Sequence, residues 1–63
     1  MTILTNIIKC TKCNDIIESK HRHDFVKCSC KAVAVDGGTA YLKRVGDFQN
    51  YIDLSEVTDE KEV

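Results

Sequence analysis

A small, mainly β domain is what this chain predicts, and three features predict it. The chain has 63 residues, enough for one domain and no more. Its four cysteines fall into two close pairs, Cys10-Thr11-Lys12-Cys13 and Cys28-Ser29-Cys30. Its apolar residues are mostly Ile, Val and Leu in short runs, with no Trp and only Phe25, Tyr41, Phe48 and Tyr51 as aromatics. β-branched residues in short runs bounded by turn residues favour strands. A core this small rarely yields more than about 3–5 kcal/mol of net stability, so a further staple is expected.

The cysteines can provide it. Four thiolates in two short-range pairs can converge on one tetrahedral ion, and zinc is the ion that takes four sulfurs in a closed structural site. Structural zinc contributes about 10–16 kcal/mol in small peptides at neutral pH, more than the remaining core could offer. The expected ligands of one structural zinc are Cys10, Cys13, Cys28 and Cys30. The second pair is one residue shorter than a usual ribbon knuckle, but alternate strand residues face the same way, so both its sulfurs can reach the ion. Two disulfides are the competing use and need an oxidising compartment. The opening residues Met1 to Lys9 carry no basic leader, long apolar stretch or small-residue cleavage site, so a reducing, cytoplasmic setting is expected. No apolar run approaches the roughly 20 residues that span a bilayer.

The elements follow in order. Ile3, Leu4, Ile7 and Ile8 predict a strand running into the first knuckle, and Asn14-Asp15 a turn. Ile16-Ile17 starts a second strand, residues 20–24 form an exposed polar turn, and Phe25–Cys28 returns as a strand. The 14 residues between the pairs fit a hairpin that brings the pairs together. Ala32–Val35 reads as a buried strand, and Asp36-Gly37-Gly38-Thr39 as a tight turn whose glycines allow positive φ. Tyr41–Val45 returns as a strand, with a short helix over 39–46 as the alternative. Phe48, Tyr51, Ile52 and Leu54 fit one or two helical turns with Asp47 as the candidate N-cap, so a short helical or irregular segment is expected over 47–54. From Ser55 the chain is acidic and poor in apolar residues, which predicts a flexible tail. The expected division is a domain over 1–54 and a tail over 55–63.

Charge is uneven as well, with its division earlier, at residue 46. Residues 1–46 carry eight Lys/Arg against four Asp/Glu, a balance of +4, while residues 47–63 carry one Lys against six acids, a balance of −5. This is not the strongly basic profile of a general DNA binder. His21 and His23 are alternative ligands, or simply part of a hydrophilic turn. A redox role for the first pair would need a helix N-terminus in a larger fold, and catalytic zinc would need an open fourth position; no enzymatic activity is expected. Lys9, Lys12, Lys27 and Lys31 beside the cysteines can contact phosphates or offset the negative cluster. Lys43-Arg44 reads as a solvated face.

Over residues 7–46 the chain resembles small phage- and prophage-encoded zinc-ribbon-like proteins. The resemblance rests on Ile8-Lys9-Cys10-x-x-Cys13, on residues 17–25 (Ile-Glu-Ser-Lys-His-Arg-His-Asp-Phe), on Cys28-Ser29-Cys30, on Val35-Asp36-Gly37-Gly38 and on Tyr41-Leu42-Lys43-Arg44. In such proteins a glycine commonly follows the last cysteine; here Lys31 stands there. Small zinc-binding phage proteins occur among type II anti-CRISPR inhibitors. The resemblance therefore implies a non-catalytic inhibitor in the host cytoplasm that binds an RNA-guided DNA nuclease and blocks DNA targeting. Asp47, Phe48, Tyr51, Asp53 and Glu56 are the expected partner-binding residues: carboxylates to meet a basic channel and aromatics to anchor. A nucleic-acid-binding zinc-ribbon regulator is the alternative.

Overall fold

Each cysteine pair forms the bend of its own antiparallel hairpin. The structure, a computed structural model, describes residues 2–58. Along the chain run β1 (Thr2–Ile3), β2 (Ile7–Cys10), β3 (Ile16–Glu18), β4 (Val26–Lys27), β5 (Ala34–Asp36), β6 (Lys43–Val45), a single 3-10 turn (Phe48–Asn50), β7 (Tyr51–Asp53) and β8 (Val57–Thr58). β2 pairs with β3 across the first knuckle, and β4 with β5 across the second. A third strand extends each hairpin, giving the orders β3-β2-β7 and β4-β5-β6, while β1 and β8 form a separate ribbon. The small, mainly β, metal-site fold expected above is the fold observed. The linking geometry differs: the pairs are not joined by a β3–β4 hairpin, since β3 pairs with β2 and β4 with β5.

The core lies between the two hairpins. Ile8, Ile17, Val33 and Val35 pack with Cys10 and Cys28, with Cys13, Val26, Ala32 and Tyr51 around them. Burial alternates along β2, with Ile8 and Cys10 inward and Ile7 and Lys9 half-buried. The period of two thus places a sulfur in the core beside aliphatic groups. Burying each such aliphatic side chain is worth about 1.5–3 kcal/mol. Two of the ligand residues are therefore themselves core residues.

Buried polar groups lock the halves together away from the thiols. The apolar run Ile3–Ile8 is two strands, not one, because Asn6 turns fully inward. Its Nδ2 donates to the carbonyls of Asp36 (3.0 Å), Gly38 (3.0 Å) and Tyr41 (3.3 Å). Its Oδ1 accepts from Arg44 Nη1 at 2.6 Å. Arg44 also reaches Asp53 Oδ1 (3.0 Å) and Ser55 Oγ (2.8 Å). Lys43 is exposed as expected, but Arg44 is not on a solvated face; its side chain is only 12% exposed.

The C-terminal segment departs from expectation in three ways. Residues 47–54 hold one 3-10 turn and then β7, which pairs with β2, because Tyr51 gains more by packing against the core than from helical turns. Asp47 makes no side-chain cap. Just before it, the expected returning strand is present as β6 (Lys43–Val45), and the helical alternative over 39–46 is not taken. The expected tail does not begin at Ser55: Ser55 Oγ accepts from the Ile7 N–H at 2.9 Å, and β8 pairs with β1. Residues 59–63 of that tail lie outside the described residues.

Candidate metal centre

Both knuckles use one backbone frame. In the first, the Cys10 N–H donates to the Asp15 carbonyl (2.8 Å) and the Asn14 N–H to the Cys10 carbonyl (2.9 Å). In the second, the Cys28 N–H donates to the Val33 carbonyl (3.1 Å) and the Lys31 N–H to the Cys28 carbonyl (3.0 Å). In each, the residue directly after the last cysteine is left-handed: Asn14 at φ 63° and Lys31 at φ 64°. Asparagine tolerates this conformation, whereas lysine meets the usual steric cost of about 1–2 kcal/mol. The glycine missing at position 31 thus stood out in the sequence for a conformational reason.

The four sulfurs converge. All lie within 4.8 Å of one another, and Cys30 Sγ is 3.6 Å from both Cys10 Sγ and Cys28 Sγ. An ion bound tetrahedrally at about 2.3 Å spaces its sulfurs about 3.8 Å apart, so the cluster has the dimensions of a four-thiolate site. The Lys12 N–H donates to Cys10 Sγ at 3.4 Å. The four cysteines form a group able to hold a metal ion. Cys10 and Cys28 are buried, Cys13 half-buried and Cys30 exposed, so the site sits at the edge of the core with one ligand facing solvent.

The thiols do not ionise equally on their own. A backbone hydrogen bond from Cys30 draws the Cys13 thiol below its ordinary range, against burial. Burial opposes ionisation of Cys28, but the backbone N–H groups of Val33 and Ala32 and the neighbouring thiols outweigh it and bring it to about 6. The Ala32 N–H favours the Cys30 thiolate, yet burial and the three surrounding sulfurs push Cys30 up to about 12. Four negative sulfurs at this spacing repel one another; a divalent cation among them removes the conflict.

Asp15 joins the knuckles directly. Its Oδ2 accepts from both the N–H and the Oγ of Ser29, each at 2.9 Å, while its carbonyl closes the first knuckle. Sequence reading treats Asp15 as one more turn residue; its position just past the CxxC was the available signal. Arg44 carries no local signal of its role, because its partners lie 9, 11 and 38 residues away. His21 and His23 are not in the ligand group, which among the described residues holds only the cysteines. Their turn lies where β3 leads away from the first knuckle and β4 back to the second, and with Arg22 and Asp24 it lines an open hollow of about 440 Å³.

The expected partner-binding residues separate into two kinds. Phe48 is 79% exposed with the exposed Asp47 beside it, and Glu56 is exposed beyond β7, where its carbonyl accepts from the Leu4 and Thr5 N–H groups. Tyr51 packs on the core opposite Cys10, and the Asp53 carboxylate is held by Arg44 and by the Ser55 N–H. Burial works against ionisation of Asp53, but the Ser55 and Arg44 contacts outweigh it and hold the group below its ordinary value.

The family described as "Domain of unknown function (DUF7695)" matches residues 2–46. The chain belongs to this family. The DUF7695 span takes in both knuckles, Asp15, the His21–Asp24 turn, Asn6 and Arg44, while β7 and β8 lie beyond it. No curated protein and no solved structure matches the chain. No helix among the described residues is long and apolar enough to cross a membrane.

Proposed function

We propose that this protein is a zinc-stapled, non-catalytic binding module that works in the bacterial cytoplasm as an inhibitor, and that its target is a type II RNA-guided DNA nuclease. Zinc is the ion that suits four sulfurs at these distances, and four thiolates fill its shell and leave no position for an activated water. The observation that carries the binding role is Phe48. It stands 79% exposed next to the exposed Asp47, on a segment tied to the first knuckle. The Thr11 N–H of the first knuckle donates to the Asn50 carbonyl at 2.9 Å, and Tyr51 pairs with Cys10. Large aromatics that stay exposed on a pre-ordered backbone lose little entropy on binding and serve as interface anchors.

The choice of target rests on the phage resemblance and on charge. RNA-guided nucleases hold nucleic acid in positively charged channels, and the exposed Asp47 and Glu56 carry the opposite sign. The test uses purified nuclease in a DNA-cleavage assay. Wild-type protein is expected to block cleavage, Phe48→Ala to weaken binding about tenfold or more, and Asp47→Lys with Glu56→Lys to weaken it further. A protein that neither binds the nuclease nor slows cleavage ends this reading.

One contact favours the nucleic-acid regulator as a second reading. Lys27 Nζ sits 5.8 Å from the centre of the exposed Phe25 ring. A ring with an adjacent cation is a platform on which a base can stack. Binding to single-stranded oligonucleotide that weakens with salt and is lost in Phe25→Ala favours this reading over the inhibitor.

A further inference from the structure

We infer that the His21–Asp24 turn is a binding site for a phosphate group, distinct from the metal centre and from the Phe48 segment. His21, Arg22, His23 and Asp24 line an open hollow of about 440 Å³. Arg22 carries a guanidinium and His21 and His23 carry imidazoles, all three residues exposed, and an arginine fork matches the paired oxygens of a phosphate. The one acid in the lining is already engaged, because Asp24 Oδ2 accepts the Lys20 N–H at 2.9 Å.

The backbone beneath these side chains is fixed from inside. The Asp24 N–H donates to the His21 carbonyl at 3.0 Å and closes the turn. The buried Ser19 Oγ donates to the Asp24 carbonyl (2.6 Å), lies 3.4 Å from the His21 carbonyl and accepts the Gly38 N–H (2.9 Å). Gly38 lies so close below that a Cβ there would come within 2.4 Å of the His21 carbonyl carbon. Side chains on a backbone locked this way are presented in a set arrangement, which lowers the ordering cost of binding.

His23 occupies the third position of this turn at φ 92°. Arg22, at the second position, is not left-handed, so the turn has the type II pattern, whose third position takes glycine or asparagine without strain. A ring-bearing residue there strains the backbone, and retained strain of this kind marks positions where the side chain serves a purpose. Glycine would suit the fold better; histidine keeps a donor over the hollow.

The test is an amide NMR titration of the metal-loaded full chain, with inorganic phosphate in one arm and a short single-stranded oligonucleotide in the other, at matched ionic strength. Shifts centred on residues 20–25 and on Gly37 and Gly38 are expected. If phosphate alone produces them, the ligand is a free phosphate or monoester; if the oligonucleotide binds more tightly at the same residues, it is a nucleic-acid backbone. Either result supports the site. Arg22→Gln should weaken binding about tenfold, the loss expected for one charge-assisted contact. His23→Gly should melt at a higher temperature and yet bind several-fold more weakly, a pairing that a purely structural histidine would not give. No shifts in either arm, shifts confined to Lys12, Lys27 and Lys31, or a His23→Gly variant that binds as well as wild type each overturn the inference.

Discussion

The two cysteine knuckles share a frame but not their constituents, and the contrast shows which parts of a metal-stapled fold are costly to change. The first is CxxC, has an asparagine at the left-handed position, and contributes a ligand with no exposed surface, Cys10. Its strand β2 is the centre of a sheet, with β3 on one side and β7 on the other. The second is CxC, places a lysine in the left-handed position, and ends on the exposed Cys30. The first knuckle is thus built into the core, while the second closes over the site from outside. A metal ion held by the four sulfurs would join a well-formed half to a strained one.

Ligand substitution should expose that asymmetry most strongly. Cys10→Ser removes a thiolate and puts a hydroxyl into the core, so metal and fold are expected to go together, a loss on the order of 10 kcal/mol. Cys30→Ser leaves three thiolates and a solvent-facing position that water can fill, so this variant should keep a weakened site and fold when metal is in excess. Metal content by elemental analysis, with far-ultraviolet circular dichroism before and after chelation, reads both. Equal collapse of the two variants would mean that the knuckles are equivalent after all.

The next largest effect belongs to Asp15, which belongs to one knuckle and braces the other. Asp15→Ala removes two hydrogen bonds from a carboxylate to Ser29 and should cost about 1.5–3 kcal/mol. Ser29→Ala loses only the Oγ contact and should cost less, on the order of 1 kcal/mol. Denaturant melts of the metal-loaded proteins check the order; a larger loss for Ser29→Ala would place the brace elsewhere.

The left-handed residues give a change of opposite sign. Lys31→Gly should stabilise the protein by about 1 kcal/mol, since glycine takes φ 64° without strain. Asn14→Gly should change stability by a few tenths at most, because asparagine already tolerates this conformation. Equal gains from both would show that position 31 carries no special strain.

How much of this was readable in advance follows from how local each signal is. The cysteine spacing and the Gly37-Gly38 turn are local patterns, and the convergence of the four sulfurs and the β5–β6 hairpin match them. The missing glycine at position 31 was likewise visible, although its meaning needed the φ angle. The span over 47–58 was misread because the spacing of Phe48, Tyr51 and Ile52 suits a helix, while the free edge of β2 that recruits Tyr51–Asp53 exists only once the first hairpin has formed. Asn6 interrupts an apolar run and could have been singled out as an inward-turned polar group. Arg44 could not: beside Lys43 it looks like surface, and its carboxylate partner, Asp53, joins it only through tertiary packing.

That ion pair offers the smallest test of how the halves are joined. Arg44 lies on the sheet of the second knuckle and Asp53 on the sheet of the first, so the pair is a further link between them, beside the sulfurs, the Asp15–Ser29 contacts and Asn6. The Asp53 carboxyl is held below its ordinary value in the folded protein. A carboxyl depressed by folding adds stability above its unfolded value of about 4, and the gain is lost as pH falls through the lower folded value. Asp53 is about half exposed, so solvent screens the contact and the gain should be at most about 1 kcal/mol. Acid also protonates the thiolates, but it does so equally in an Asp53→Asn variant. The stability difference between wild type and Asp53→Asn should therefore be constant from neutral pH down to about 4 and close below it. A difference that persists unchanged into stronger acid would show that it does not come from the charge of Asp53.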